Sequence, residues 1–333
     1  MDPGPGPGKA RASTRLRNLT GPAKQSVLGP MRLYEAILPY PQIDPVLVHI
    51  GPLAIRWYAL AYIAGLLLGW WLVLREIAQK SLWANPPFGK KPPANSEEIG
   101  DFVVWATFGV ILGGRLGWVI FYGLILCGMD PGAPYCYGLP GGFVTDPIRI
   151  VAAWEGGMSF HGGLIGVGLA LWLFTRKRGL DIVRVGDLIA TVAPIGLFFG
   201  RLANFINGEL WGRPADVPWA MVFPNPLAGA VPRHPSQLYE AGLEGIVLFA
   251  ILQLALRKFR WHEKPGLMIA VFFLGYGVFR TFVEFFREPD APFLGPVTMG
   301  QMLSALMLAV AAYFFWYALI RPKSQQTDGK AKA

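Results

Sequence analysis

The stretch Gly200-Arg201-Leu202-Ala203-Asn204-Phe205-Ile206-Asn207-Gly208-Glu209-Leu210-Trp211-Gly212-Arg213 closes an apolar run and opens a loop rich in glycine and proline. Its fourteen residues hold two arginines, two asparagines, one glutamate and three glycines. Hydrocarbon tolerates such groups only where they face one another or a ligand. The chain therefore reads as an apolar frame that holds a polar turn near a membrane surface.

Composition agrees with that reading. Of 333 residues, 53% are hydrophobic and only 15% charged, where a soluble domain carries roughly a quarter charged. The net charge of +9 does not point to nucleic acid, because the basic residues fall in short clusters between apolar runs rather than on one face interleaved with aromatics. The two cysteines, Cys127 and Cys136, share one loop, and the four histidines, His49, His161, His234 and His262, are scattered. Neither set has metal-ligand spacing, so no metal is expected. A disulfide between the cysteines is left open.

Seven apolar runs of roughly 20 residues, the length of a membrane-crossing helix, follow in order: Leu53–Leu74, Ile99–Leu126, Gly157–Phe174, Val185–Ile206, Leu238–Leu256, Leu267–Phe286 and Met299–Ile320. Their continuity disfavours a β-barrel, whose strands alternate. The expected fold is an all-α integral membrane protein of about seven transmembrane helices with small periplasmic elements. Sixteen Lys and Arg lie after the first, third, fifth and seventh runs. Only Arg149, Arg213, Arg233 and Arg287 lie after the others. The positive-inside rule then sets the N-terminus outside and the C-terminus in the cytoplasm.

Residues 1–30, rich in Pro, Gly and basic side chains, read as a disordered tail or as a mis-assigned start, translation beginning at Met31. Residues 31–322 read as a single polytopic domain and 323–333 as a cytoplasmic tail. Glycines four apart, Gly109, Gly113 and Gly117 in one run and Gly162 and Gly166 in the next, predict close helix approach.

Arg56, Arg115, Arg201 and Arg280 fall inside or at the edges of the runs. A central arginine costs about 2.5–3.5 kcal/mol on insertion scales, so each is either ion-paired, snorkelled or functional. Tyr276, Arg280 and Glu284 are spaced by four, with Arg287 three further on, which forms one helical stripe. In it Glu284 steadies the Arg280 guanidinium, whose planar fork suits phosphate. His161, at the glycine-rich start of the third run, is either a structural residue or a general base. Pro235 and Ser236 read as the start of a helix, with His234 and Glu240 as weaker site candidates. Arg201, Asn204, Glu209, His161, Arg280 and Tyr276 are expected to converge near the outer leaflet. These residues alone leave open an enzyme, an anion transporter and a lipid-binding scaffold.

A family resemblance narrows the choice. The quoted stretch, Arg56-Trp57-Tyr58, Gly113-Gly114-Arg115-Leu116-Gly117, Met158-Ser159-Phe160-His161-Gly162-Gly163, the run from Arg233 to Glu240 and Val283-Glu284-Phe285-Phe286-Arg287 together resemble, in the same order, the bacterial prolipoprotein diacylglyceryl transferases. The resemblance covers residues 31 to 320 and implies an inner-membrane enzyme with its site toward the periplasm. That enzyme moves the diacylglyceryl group of phosphatidylglycerol onto the lipobox cysteine of a prolipoprotein and releases glycerol phosphate. It implies His161, Arg201 and Arg280 as catalytic residues. Arg201, Arg280, Asn204, Tyr58, Tyr276, Glu209, Glu284 and Gly212 are implied to bind phosphatidylglycerol. The implied partners are phosphatidylglycerol, the lipobox segment and membrane lipids, with no cofactor. Arg56, where a family member has histidine, carries no implied role.

Overall fold

The helices begin and end where local chemistry dictates. In this computed structural model the described residues are 38–51, 53–85, 91–126, 148–151, 157–288, 292–294 and 297–320. The tails at 1–30 and 323–333, together with Cys127 and Cys136, lie outside them. The described residues all fall within one compact unit.

A hairpin of β1 (Val46–Ile50) and β2 (Leu53–Arg56) comes first, antiparallel, with Val48 opposite Ile55. It turns at Gly51, whose φ of 59° favours glycine. Helix α1 (Trp57–Ala78) therefore starts four residues later than the apolar run beginning at Leu53. Helix α2 (Ser96–Trp118) opens on a capping box. Glu98 N–H donates to Asn95 Oδ1 at 2.9 Å, and Asn95 N–H donates to Glu98 Oε2 at 2.7 Å. It continues as a wider turn through Val119–Leu126.

Helix α3 (Phe160–Arg178) starts at Ser159, whose hydroxyl accepts from Gly162 N–H, and stops at Gly179 with φ 66°. Its last turn holds Arg176, Lys177 and Arg178, where cations complement the exposed carbonyls. The fourth apolar run is not one helix. It divides into α4 (Ile182–Ala190) and α5 (Ala193–Ile206), bent by 46° at the break. Pro194 can sit in the first turn of a new helix but not inside a continuing one.

Helices α6 (Ser236–Arg257) and α7 (Leu267–Val283) follow. The buried Asp187 of α4 accepts from Gly266 N–H at 2.6 Å and Ile269 N–H at 3.0 Å, capping the start of α7. A second small hairpin, β3 (Pro292–Leu294) with β4 (Val297–Thr298), precedes α8 (Met299–Phe315).

Four of these helices are long and apolar enough to cross a membrane, or five if the bent pair is one crossing, and α7 is a shorter apolar helix. The outward faces are apolar as well: Phe108 is 60% exposed, Ile165 71% and Leu306 61%. A protein apolar on the outside of its helices is a membrane protein, here a mostly helical one.

Glycine seams set the packing. A Cβ on Gly109 of α2 would come within 2.6 Å of the Gly166 carbonyl of α3, and one on Gly117 within 2.7 Å of Gly162 Cα. Gly65 of α1 lies against Gly196 of α5 in the same way. The interior core gathers Leu248, Leu252 and Leu256 of α6 with Met268 of α7. Toward the ends of the helices that carry the Lys/Arg-rich connections, buried Glu76 accepts from Thr191 Oγ1 and Gln253 Nε2, both at 2.8 Å. At the opposite ends lies a second and larger polar cluster.

Candidate active site

Helix α5 delivers Arg201 and Asn204 and then ends in a tightly fixed turn. Gly208 takes φ 63°. The Tyr40 hydroxyl donates to the carbonyl of Phe205 and, at 3.2 Å, to that of Ile206, satisfying acceptors that a helix end leaves open. Asn204 Nδ2 donates to Glu209 Oε1 at 2.8 Å, and Asn207 Nδ2 reaches the same oxygen at 3.4 Å. Gln237 Nε2 donates to the Glu209 carbonyl at 2.5 Å and Ser236 Oγ to that of Leu210 at 3.1 Å. The start of α6 thus grips the turn. Leu210 has φ 58°, a strained value for a non-glycine residue.

Gly212 lies where three strands of chain meet. It pairs with Arg287, and its N–H donates to the His234 carbonyl at 2.9 Å. A Cβ here would stand 2.6 Å from His234 Cβ and from the carbonyls of His234 and Phe286. The geometry gives Gly212 a packing reason to be glycine.

The centre of the site is a carboxylate surrounded by guanidiniums. Glu240 Oε2 lies 3.3 Å from Arg201 Nε, while Glu240 Oε1 lies 3.3 Å from Arg280 Nη1 and 3.2 Å from Arg287 Nη1. Glu244 Oε2 is 3.3 Å from Arg201 Nη2, and Glu284 Oε2 is 2.8 Å from Arg280 Nη1. Three cations and three anions from α5, α6, α7 and the turn after α7 make one network. Tyr276, itself buried, is within electrostatic range of Arg201, Arg280, Glu240 and Glu244.

Exposure separates two of the arginines from two of the glutamates. The Arg201 and Arg280 side chains are 16% and 13% exposed, whereas those of Glu240 and Glu244 are fully buried. Arg201 and Arg280 therefore stand in front of Glu240 and Glu244, so an incoming anion meets donors first, while Arg287 and Glu284 are both nearly buried. Each guanidinium has five N–H groups, enough to keep a glutamate and still bind phosphate oxygens.

Other sequence candidates lie around this network. Tyr58 and Tyr62 of α1 stand with their hydroxyls 3.5 Å apart, and Tyr62 is within electrostatic range of Arg201 and Glu209. His161 occupies the first turn of α3, but its side chain lies outside the described residues. Arg115 is structural: its Nε and Nη1 donate to the carbonyls of Ile150 and Gly157, both at 3.0 Å, and it stacks over Trp118. It fixes the segment that leads into α3. Arg56 is exposed.

Sequence reasoning gave Glu240 little weight and passed over Glu244. The signal was present: two carboxylates four residues apart inside an apolar helix must face partners. His234 is held by the Tyr239 hydroxyl at 3.0 Å, and Tyr239 in turn accepts from Trp219 Nε1 at 2.5 Å. Burial pushes its pKa below the usual histidine range. Among the described residues, no group of three or more His, Cys, Asp or Glu is arranged to hold a metal ion.

Residues 45–317 match the model of a family described as prolipoprotein diacylglyceryl transferase. A protein of Allorhizobium ampelinum named phosphatidylglycerol–prolipoprotein diacylglyceryl transferase is 50% identical over 298 residues, covering 88% of this chain and 96% of its own. Proteins of the same name from Rhodospirillum rubrum and Rhizobium leguminosarum are 55% and 48% identical. They cover 84% and 87% of this chain, and 93% and 95% of their own.

Proposed function

The chain belongs to the prolipoprotein diacylglyceryl transferase family, and from that premise we propose how its residues carry out the transfer. The enzyme moves the diacylglyceryl group of phosphatidylglycerol to the lipobox cysteine of a prolipoprotein, the first step of lipoprotein maturation. The cysteine S–H loses its proton, and the sulfur attacks the glyceryl carbon that bears the phosphate. A C–S bond forms, the C–O bond breaks, and glycerol phosphate leaves with the electron pair.

The observation that carries this reading is the forward position of Arg201 and Arg280, from different helices, on one buried carboxylate. A phosphodiester has one negative charge and the departing monoester gains a second. Cations already aimed at the phosphate therefore hold the transition state more strongly than the ground state. Arg201 and Arg280 clamp the phosphate, Glu284 steadies Arg280, and Asn204 with Glu209 fixes the turn beneath the head group. Tyr276 and Tyr58 line its approach, and Gly212 lets the chain pass close. His161 takes the thiol proton. A free thiol with pKa about 8.5 is only a few per cent ionised at neutral pH, so a positioned base helps.

Seven crossings, with the N-terminus outside and the C-terminus in the cytoplasm, fit the sixteen-to-four charge asymmetry. In that count α3, the bent pair and α7 each make a crossing. The domain then runs from residue 31 to 322, and the arginine network faces the periplasmic side of the inner membrane, where the lipobox segment arrives. The test is incubation of the purified chain with phosphatidylglycerol and a lipobox peptide, read by mass spectrometry. One added diacylglyceryl group on cysteine and stoichiometric glycerol phosphate are expected. Flux of anions in liposomes without any peptide modification would mark a transporter instead.

A further inference from the structure

Glu244 has no part in the transfer derived above, yet it stands directly behind its principal cation. One oxygen meets Arg201 Nη2 at 3.3 Å. The other, Oε1, is buried and makes no hydrogen bond among the described residues. Glu240 Oε2 likewise makes no hydrogen bond among the described residues, but the two oxygens of Glu240 face three arginines. Glu240 is therefore anchored from three sides and Glu244 from one.

Among the described residues, the groups facing Glu244 are Arg201 from α5, Glu240 one turn back on α6, and Arg280 and Tyr276 from α7. Together with Glu284 and Arg287, which join through Arg280 and Glu240, the three guanidiniums and three carboxylates balance among the described residues. An added phosphodiester makes the whole set net negative in surroundings of low dielectric. A phosphate oxygen on the same nitrogen that Glu244 uses also brings two like charges together, and adjacent anions in such a site do not both stay ionised.

We propose that Glu244 is the exchangeable counter-ion of Arg201: the phosphate of an anionic lipid takes its place at Nη2, and Glu244 accepts a proton from water as it is released. Glu240 stays as the permanent anchor. A buried carboxyl that loses its cation sheds its charge rather than bear the cost of desolvation. Lipid binding and proton uptake are then one linked event, and the affinity for phosphatidylglycerol falls by about tenfold per pH unit once Glu244 must be neutralised on binding.

This inference rests on Arg201 binding the head group, so the experiment separates the two. The full chain is reconstituted in phosphatidylcholine nanodiscs and titrated with phosphatidylglycerol at several values between about pH 6 and 9, where uptake of one proton on binding gives a measurable slope toward the alkaline end. Wild type is expected to bind more weakly as the pH rises. Glu244→Gln, neutral from the start, is expected to show a flat profile and to bind more tightly than wild type at the alkaline end. The same slope in both proteins, or a flat wild type, overturns the proposal. Should Glu244→Gln fail to fold, the infrared difference spectrum of wild type decides. A protonated-carboxyl C=O band must appear on adding phosphatidylglycerol, and its absence overturns the proposal. Arg201→Ala provides the control. If it binds phosphatidylglycerol as wild type does, the head-group reading itself fails. If it loses binding while wild type and Glu244→Gln keep parallel slopes, only the role of Glu244 fails.

Discussion

Glu240 Oε2 stands 3.3 Å from Arg201 Nε. The same carboxylate meets Arg280 and Arg287 through its other oxygen, so one side chain on α6 sets the spacing of the three guanidiniums. Removing it takes away the carboxylate that the three guanidiniums share, leaving Arg201 with Glu244 and Arg280 with Glu284. Breaking a buried ion pair from one side costs about 3–5 kcal/mol. Glu240→Ala is therefore expected to lower the thermal midpoint in detergent markedly and to abolish transfer. Glu240→Gln, which keeps the shape, is expected to recover most of the stability but not the activity. Equal midpoints for wild type and Glu240→Ala would show that the network does not depend on this residue.

The assignment of His161 as base predicts a specific rescue. His161→Ala should reduce transfer to the lipobox peptide by about 100- to 10,000-fold, the range for removal of a general base. Higher pH, which ionises the thiol without help, should restore part of the loss, as should added imidazole. A variant with unchanged rate at neutral pH removes His161 from the proton transfer.

The seam between α2 and α3 brings the segment carrying His161 against the rest of the protein. Backbone meets backbone there with no room for side chains. Gly109→Ala puts a methyl carbon within 2.6 Å of the Gly166 carbonyl. Overpacking of this kind costs about 1–3 kcal/mol, and a lower thermal midpoint is expected. Gly168→Ala, with nothing within 4 Å of its Cβ, should leave the midpoint unchanged. Equal effects at the two positions would contradict the packing described.

A histidine far from the arginine network predicts acid sensitivity. His262 lies in the turn Trp261–Glu263 between α6 and α7, buried against Trp83, with Nε2 donating to the Leu82 carbonyl at 2.8 Å. Burial pushes its pKa below the usual histidine range. The unfolded chain takes up this proton near pH 6.5, where the folded protein does not. The stability this provides is present above about pH 6.5 and is lost as the pH falls below it. The thermal midpoint of wild type should drop on acidification more than that of His262→Gln. Parallel curves would remove His262 as the cause.

What the sequence disclosed and what it hid follow from how far each signal reaches along the chain. Apolar runs are local, so the long helices were legible, as were the glycines four apart that bring α2 and α3 together. The bend at Thr191 and Val192 was not, because hydropathy stays high through Val185–Ile206, and only Pro194 marked the break. The hairpin at Val46–Arg56 was hidden because Leu53–Arg56 is as apolar as the helix it precedes. Within the site, the stripe from Tyr276 to Arg287 could be read from spacing alone. Convergence of Arg201 and Arg280 on Glu240 joins residues 39 and 40 positions apart, which no local pattern encodes. The family resemblance, rather than spacing, supplied the substrates.

The central claim is that Arg201 and Arg280 grip one lipid phosphate together. A structure of the full chain in nanodiscs with phosphatidylglycerol tests it most directly. The phosphate is expected within hydrogen-bonding distance, about 2.7–3.2 Å, of both guanidiniums. A head group resting on neither arginine, or on one while the other opens into a separate cavity, would contradict it.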